Sequence, residues 1–371
     1  MAYHAGVPTA PTTRRPTVTS TLRCWFYAAL VAVAGTAIRL SVLAAMAAAQ
    51  GDSLWGLLNK WDANYYVGIA RAGYAPAEET ALAFFPGFPL VVRAVSNLLG
   101  TDIAGTAMVL NLFFTIALAA GVMALARQMG LGTRGQVLGA AVVTSAPMSI
   151  VFAMPYTEAL FGALAIWAVV MLHDQRWIAA GALIFLASFV RLTAVDLIVV
   201  FAIMVLFKAR RTWWAWLSVA VSALPLAGYI LWANRHLSGA DGYFGLQEKH
   251  WNSGFDGGRA TVSWVAETLS SATNGGYLLS AAVIIAAPIC LLAAWGRLPL
   301  PAWLFAAVLM ANVLLSDGIM HSRPRLLLPA VVVMVPWVGK KGASASVAVG
   351  AWVLFGAWFS AYMLAVFEWA I

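Results

Sequence analysis

Charge is what this sequence has least of. Only 10% of its 371 residues are Asp, Glu, Lys or Arg, whereas soluble domains carry about a quarter. So few charges cannot cover a water-facing surface, and an ordinary soluble globule is excluded. Alternation of polar and apolar residues is also missing. The apolar runs are continuous, which selects helices over a barrel as the way to satisfy backbone groups in lipid. Cysteine occurs twice, at Cys24 and Cys290, both in apolar runs, so neither a disulfide framework nor a thiolate metal centre is expected. No basic block exceeds Lys208-Ala209-Arg210-Arg211, which argues against nucleic acid despite the net charge of +8. There is no His-Glu-x-x-His, paired-His or Asp-x-Asp motif, so a divalent metal has no support, and no Walker loop for a nucleotide. Internal repeats are absent too, which disfavours transporters built from inverted halves.

What remains is 63% hydrophobic with a mean hydropathy of +0.86. Runs of about 20 apolar residues cross a bilayer. The fold expected is an all-α polytopic membrane protein with about eleven spans, near 24–49, 103–127, 135–153, 156–173, 177–191, 193–207, 213–234, 275–295, 299–315, 325–338 and 344–368. Residues 1–23, rich in Thr and Pro and carrying Arg14, Arg15 and Arg23, read as a disordered cytoplasmic tail. The apolar run behind them is too long for a signal-peptide core, so 24–371 is expected to form one transmembrane domain.

With the N-terminus inside, twelve of the 22 basic residues fall on inner segments, nine on outer ones, and Arg39 within the first span. Most of the outer cations sit in long loops, where the positive-inside rule does not apply, so the short loops favour this orientation. It places a multi-pass protein in the cell membrane with outer loops at about 50–102, 235–274 and 316–324. The first loop contains two amphipathic segments, 54–72 and 87–99, suited to the interface. In the second, Trp251, Phe255 and Trp264 are candidate interfacial anchors.

Asp62 leads the residues suited to chemistry, because it stands among Trp61, Tyr65 and Tyr66 just past the first span. The plain reading is a helix-capping aspartate among belt aromatics. The sharper one is a general base beside aromatic platforms for a sugar ring, with Glu78 and Glu79 nearby. Glu158 follows Pro155-Tyr156-Thr157 at a span start, where an acid also favours the helix dipole. Arg191 and Asp196 share a tight outer turn, and Arg191 has either Asp196 or Glu158 as a partner. Last comes Asp317-Gly318-Ile319-Met320-His321-Ser322-Arg323-Pro324-Arg325, whose two arginines and His321 suit a lipid phosphate. His250 is a further candidate for substrate contact.

Trp61-Asp62-Ala63, Ile69-Ala70, Gly73-Tyr74, a following glutamate and Ala83-Phe84-Phe85-Pro86-Gly87-Phe88-Pro89 together resemble the PIG-V family of GT-C glycosyltransferases. Pro155-Tyr156-Thr157-Glu158-Ala159-Leu160-Phe161 resembles its second signature, and His321-Ser322-Arg323-Pro324-Arg325 a C-terminal motif of bacterial members. The resemblance implies an outer-face enzyme that moves a hexose, most often mannose, from a polyprenyl-phosphate carrier to a lipid or glycan hydroxyl with inversion. It implies Asp62 as general base and a leaving phosphate held by Arg323 and Arg325. Tyr65 stands where many members have histidine, and either Glu78 or Glu79 fills the family glutamate. The competing readings are a transporter or flippase of a lipid-linked anion and a non-catalytic membrane scaffold.

Overall fold

The computed structural model describes residues 18–74, 79–239, 241–339 and 342–369. Among these the chain is helical, with one isolated antiparallel bridge between Phe255 and Ser316. The helices are α1 (Val18–Gln50), α2 (Leu54–Leu58), α3 (Asp62–Ala72), α4 (Gly87–Leu99), α5 (Ile103–Gln128), α6 (Thr133–Thr144), α7 (Glu158–His173) and α8 (Trp177–Ala187). They continue with α9 (Ala194–Lys208), α10 (Trp213–Asn234), α11 (Gly242–Trp251), α12 (Arg259–Ser271), α13 (Gly275–Ala293), α14 (Leu300–Leu314), α15 (Arg323–Leu326) and α16 (Ala343–Ala365). Short 3-10 segments occur at Glu79–Ala83, Ser149–Ala153, Met320–Ser322 and Leu328–Gly339.

Among the described residues five helices are long and apolar enough to span a bilayer: the stretch Thr21–Gln50 of α1, then α5, α10, α13 and α16. Their outer faces carry large exposed apolar side chains such as Phe26, Phe113, Leu224, Ile289 and Leu354. Side chains of this kind are stable outside only where the solvent is lipid. The chain is therefore an all-α polytopic membrane protein. Shorter apolar helices, α7, α8 and α14 among them, fill the interior. Helix α5 lies between α1 and α7, α16 covers the other side of α1, and α9 packs on α14.

The expected span 135–153 is where the structure departs from the sequence reading. Helix α6 stops at Thr144, and the chain runs irregularly through Met148, at φ 69°, and a single 3-10 turn to Tyr156. Pro147 and Pro155 interrupt the stretch and remove backbone donors. Non-helical backbone at membrane depth survives only when protein covers it. Here residues 142–159 are all buried. Arg39, 1% exposed, donates to the Thr144 carbonyl at the end of α6 and to Ser149 Oγ, 3.3 Å away. A helix C-terminus carries partial negative charge, so the buried guanidinium has an electrostatic partner without a carboxylate. Asn111 of α5 donates to the carbonyls of Met154, at 2.5 Å, and Tyr156, at 2.9 Å. Gly356 of α16 lies so close that a Cβ there would fall 2.0 Å from the Ser145 carbonyl oxygen.

The expected span 325–338 is likewise not an α-helix. After α15 the backbone follows 3-10 geometry through Leu328–Gly339, where Pro329 and Pro336 each remove a ladder donor. The first expected interfacial segment is split into α2 and α3, while 87–99 is α4 as a single helix. Gly87 opens α4, and its N–H donates to the Phe189 carbonyl at 2.8 Å. A Cβ at position 87 would sit 2.7 Å from that oxygen, so only glycine lets the first loop dock on the α8–α9 turn.

Candidate functional site

The polar residues of the sequence converge where α3, the 83–85 strip, the α8–α9 turn, α11, α14 and the 316–326 segment enclose a cavity of about 370 Å³. Asp62 opens α3. The preceding Trp61 has φ 61° and ψ −129°, a conformation that costs a non-glycine residue of order 1–3 kcal/mol. That turn directs the Asp62 carboxylate away from its own helix amides, so the residue is not a cap. Its Oδ2 instead accepts from Arg325 Nη1 at 2.7 Å, and its backbone N–H donates to Tyr156 Oη at 3.2 Å.

Behind this pair the charges alternate. Arg325 Nε lies 3.5 Å from Glu158 Oε1, which Arg191 Nη1 approaches at 2.5 Å. Asp62, Arg325, Glu158 and Arg191 thus form a chain with two charges of each sign. Arg191 resolves its two possible partners in favour of Glu158. Glu158 is 4% exposed at the first turn of α7, and its Oε2 is buried without a hydrogen-bond partner. The Arg325 guanidinium lies over the Tyr156 ring, 5.2 Å from its centroid. Thr157 Oγ1 accepts from Arg191 at 3.3 Å and lies 3.3 Å from Tyr66 Oη. Burial raises the Tyr66 phenol above its ordinary value, with Arg191 opposing, so it stays protonated.

The two arginines of the C-terminal motif point to different partners. Arg323, 2% exposed, donates to Thr261 Oγ1 and to the Ser316 carbonyl. Among the described residues no carboxylate lies within ion-pair distance of it. Burial lowers this guanidinium to about 10 while Asp317 and Asp256 pull the other way, so it keeps its charge at neutral pH. Both Arg323 and Arg325 border the cavity.

Other sequence candidates fall elsewhere. Tyr65 lies outside the lining and stacks on Phe84 with centroids 4.5 Å apart, supporting a ring that does line it. Glu79 lies outside the lining, and its Oε1 accepts the Ser238 N–H at 3.0 Å. His250 stands outside the lining, its ring 5.6 Å from that of Trp251. His321 faces away, packed edge-on to Tyr277 and Phe367 at 5.7 and 5.1 Å. Glu78 lies outside the described residues. Trp251 is a wall of the cavity rather than a membrane anchor, with Phe84 packed edge-on at 5.7 Å. Phe255, 81% exposed, does face outward, and Trp264 packs edge-on to Tyr277 at 6.1 Å.

Sequence reasoning did not single out Tyr243, Gln247 or Asn312, which also line the cavity. Their visible signal is slight: Asn312 is a lone polar group in the apolar α14, and Tyr243 and Gln247 are two of many polar residues in α11. A second cavity, about 230 Å³ and almost wholly apolar, lies between α13, α14, the 324–334 segment and α16. Helix α15 is shared by both, since Arg323, Arg325 and Leu326 face the polar cavity and Pro324 and Leu327 the apolar one.

Comparison with known proteins accords with this arrangement. A family model, Mannosyltransferase (PIG-V), matches residues 28–217, the stretch that holds Asp62, Glu158 and Arg191. GPI alpha-1,6-mannosyltransferase 2 of Mus musculus is 32% identical over 149 residues, covering 38% of this chain and 30% of the mouse protein. The Cricetulus griseus protein of that name is 34% identical over 150 residues, with the same coverage. The match thus spans less than a third of the length of these curated relatives. Among solved structures, ArnT from Cupriavidus metallidurans bound to undecaprenyl phosphate superposes with a TM-score of 0.55. That match covers 85% of this chain and 61% of ArnT at 15% identity, a likeness of fold alone. With half of its length matched by the family model, the chain belongs to the mannosyltransferase (PIG-V) family.

Proposed function

We propose that this chain is a membrane glycosyltransferase that moves a hexose, mannose by family, from a polyprenyl-phosphate donor to a hydroxyl of a lipid or glycan acceptor. Transfer takes place on the outer face and inverts the anomeric carbon. The observation that carries the reading is the meeting of Asp62 with Arg325 in the wall of one cavity that also holds Arg323.

Each residue then has a defined task. The acceptor hydroxyl oxygen attacks the anomeric carbon and its proton passes to the Asp62 carboxylate. The bond from that carbon to the phosphate oxygen breaks, and its electron pair leaves with the lipid phosphate. The donor phosphodiester carries one negative charge and the departing phosphate tends toward two. Stabilising charge that grows in the transition state is where fixed cations contribute most. Arg323, whose hydrogen-bond partners are neutral, anchors the incoming phosphate. Arg325 begins on Asp62 and Glu158 and shifts toward the phosphate as its charge develops, which frees the Asp62 carboxylate to meet the acceptor hydroxyl. Phe84, Phe85 and Trp251 supply apolar faces for a sugar ring. The neighbouring apolar cavity suits the first prenyl units of the carrier, a lipid of the class bound in the ArnT structure.

The test is transfer of radiolabelled mannose from polyprenyl-phosphate-mannose to a membrane-lipid extract by the purified protein in liposomes. Labelled product that is lost in a folded Asp62→Ala variant supports the reading. Unchanged turnover in that variant removes the base assignment. Arg323→Ala should weaken donor binding by about tenfold, as expected for loss of a charge-assisted contact.

A further inference from the structure

The cavity wall carries a second polar group that the proposed bond exchange does not use. Asp196, in the first turn of α9 and 2% exposed, lies just behind that wall. Its Oδ1 accepts from Asn312 Nδ2 at 2.9 Å, and its Oδ2 has no hydrogen-bond partner. Among the described residues no cation lies within ion-pair distance of it, because Arg191 of the same turn is taken by Glu158. An ionisable group left without a counter-ion at membrane depth is costly, and packing alone gives no reason to keep it.

Asn312 supplies the reason. It is exposed on α14, and the space it faces is the cavity. The amide gives its Nδ2 to Asp196 Oδ1, which leaves its own Oδ1 to accept from the cavity side. That hydrogen bond polarises the amide and strengthens its oxygen as an acceptor. Thr193 lines the same wall, and its Oγ1 is buried with no partner. Neutral amide and hydroxyl groups receive a neutral hydroxyl and offer a phosphate no counter-charge. The cationic part of the wall, at Arg323 and Arg325, has the opposite preference.

Resting on the glycosyltransferase reading above, we propose that Asn312, oriented by Asp196 and flanked by Thr193, reads one hydroxyl of the donor hexose. The donor then lies polarised in the cavity, with phosphate toward the arginines and ring hydroxyls toward Asn312. Asp196 acts as a positioning residue, because it lies outside the cavity lining.

The experiment uses the full chain in liposomes with polyprenyl-phosphate-mannose, its four monodeoxy analogues and bare polyprenyl phosphate. Wild type should penalise one deoxy donor by about tenfold to a hundredfold in kcat/KM, the range for one lost hydrogen bond in a closed site. Asn312→Ala should transfer the parent sugar more slowly by the same factor and no longer distinguish that deoxy donor from it. Its affinity for bare polyprenyl phosphate should match wild type. Asp196→Asn keeps the shape but no longer dictates which way the Asn312 amide faces. It should therefore lose most of the discrimination, again without changing the affinity for bare polyprenyl phosphate, a pattern that a merely damaged fold does not give. Full discrimination retained in Asn312→Ala overturns the inference and leaves the transferase reading standing. A wild type that transfers no hexose, and binds sugar-bearing and bare polyprenyl phosphate alike, overturns both.

Discussion

Arg325 Nη1 lies 2.7 Å from Asp62 Oδ2 across 263 positions of sequence, and the pair is 11% and 20% exposed. The pair occupies the carboxylate oxygen that the proposed proton transfer needs. The contact therefore reads as a resting state that a phosphate would open.

Asp62→Asn keeps the size of the side chain and removes its charge, which releases Arg325 from one of its two carboxylates. Transfer should fall by about 10²- to 10⁴-fold, the usual contribution of a positioned base. Binding of bare polyprenyl phosphate, measured by titration, should tighten or stay equal. Weaker lipid-phosphate binding would show that Asp62 supports the phosphate site rather than competing with it.

Glu158 is shared by two arginines, and its stability effects should be coupled to theirs. Arg325→Met leaves Asp62 without its cation and Glu158 with Arg191 alone, and should destabilise by about 3 kcal/mol, as breaking buried pairs does. Combining it with Glu158→Gln should cost less than the two single changes added together. Thermal unfolding in detergent measures all three variants, and strict additivity would mean that the charges act independently.

Arg39→Leu tests whether the interrupted stretch after α6 depends on its buried cation. The substitution leaves the Thr144 carbonyl and Ser149 Oγ without their donor, which should cost about 1–3 kcal/mol. Donor KM should stay near wild type, since Arg39 is outside the cavity lining. A large KM change at unaltered stability would contradict this role.

Glu79 predicts a pH effect outside the lining. Hydrogen bonding to Ser238 lowers its carboxyl below the usual glutamate value, so the carboxylate form favours the folded tether. The tether is then fully present above a free glutamate's value of about 4.3 and is lost as pH falls through the lower folded value. Amide exchange at Ser238, corrected for intrinsic rate, should show protection at neutral pH that disappears in this acidic window. Glu79→Gln should reduce the pH dependence. Protection that does not change through the window would sink the assignment.

Composition was enough to read the helical membrane class, since a chain with 10% charge has no other solvent to face. Helix α4 was legible from its amphipathic pattern, and α9 and α10 from uninterrupted apolar runs. The loss of helix over 145–153 was not, because hydropathy counts Pro147 among neighbours as apolar as any span, although the gap at Pro155 does read as a span boundary. The same blindness covered Pro329 and Pro336 in the 3-10 stretch. At the cavity, residue types pointed to Asp62, Glu158, Arg191, Arg323 and Arg325, but a motif does not say which arginine meets which carboxylate. Arg323 and Arg325 are two residues apart, about half a turn of α15, and end on different partners, but which partner each meets is decided by the packing of α15. His250 and His321 were attractive by residue type alone, and the helices that carry them turn both away from the cavity.

The irregular segment between Thr144 and Glu158 backs the cavity wall without lining it: Tyr156 and Glu158 at its end hold Asp62, Arg325 and Arg191, and the segment itself is tied to α1 by Arg39 and to α5 by Asn111. Other parts of the lining come from elsewhere, from α11 and the 316–323 segment. Backing and lining are therefore separate pieces of chain under separate constraints. Exchange of α11 and its flanking loops offers a route to new acceptors in which the charges beneath remain where the bundle holds them.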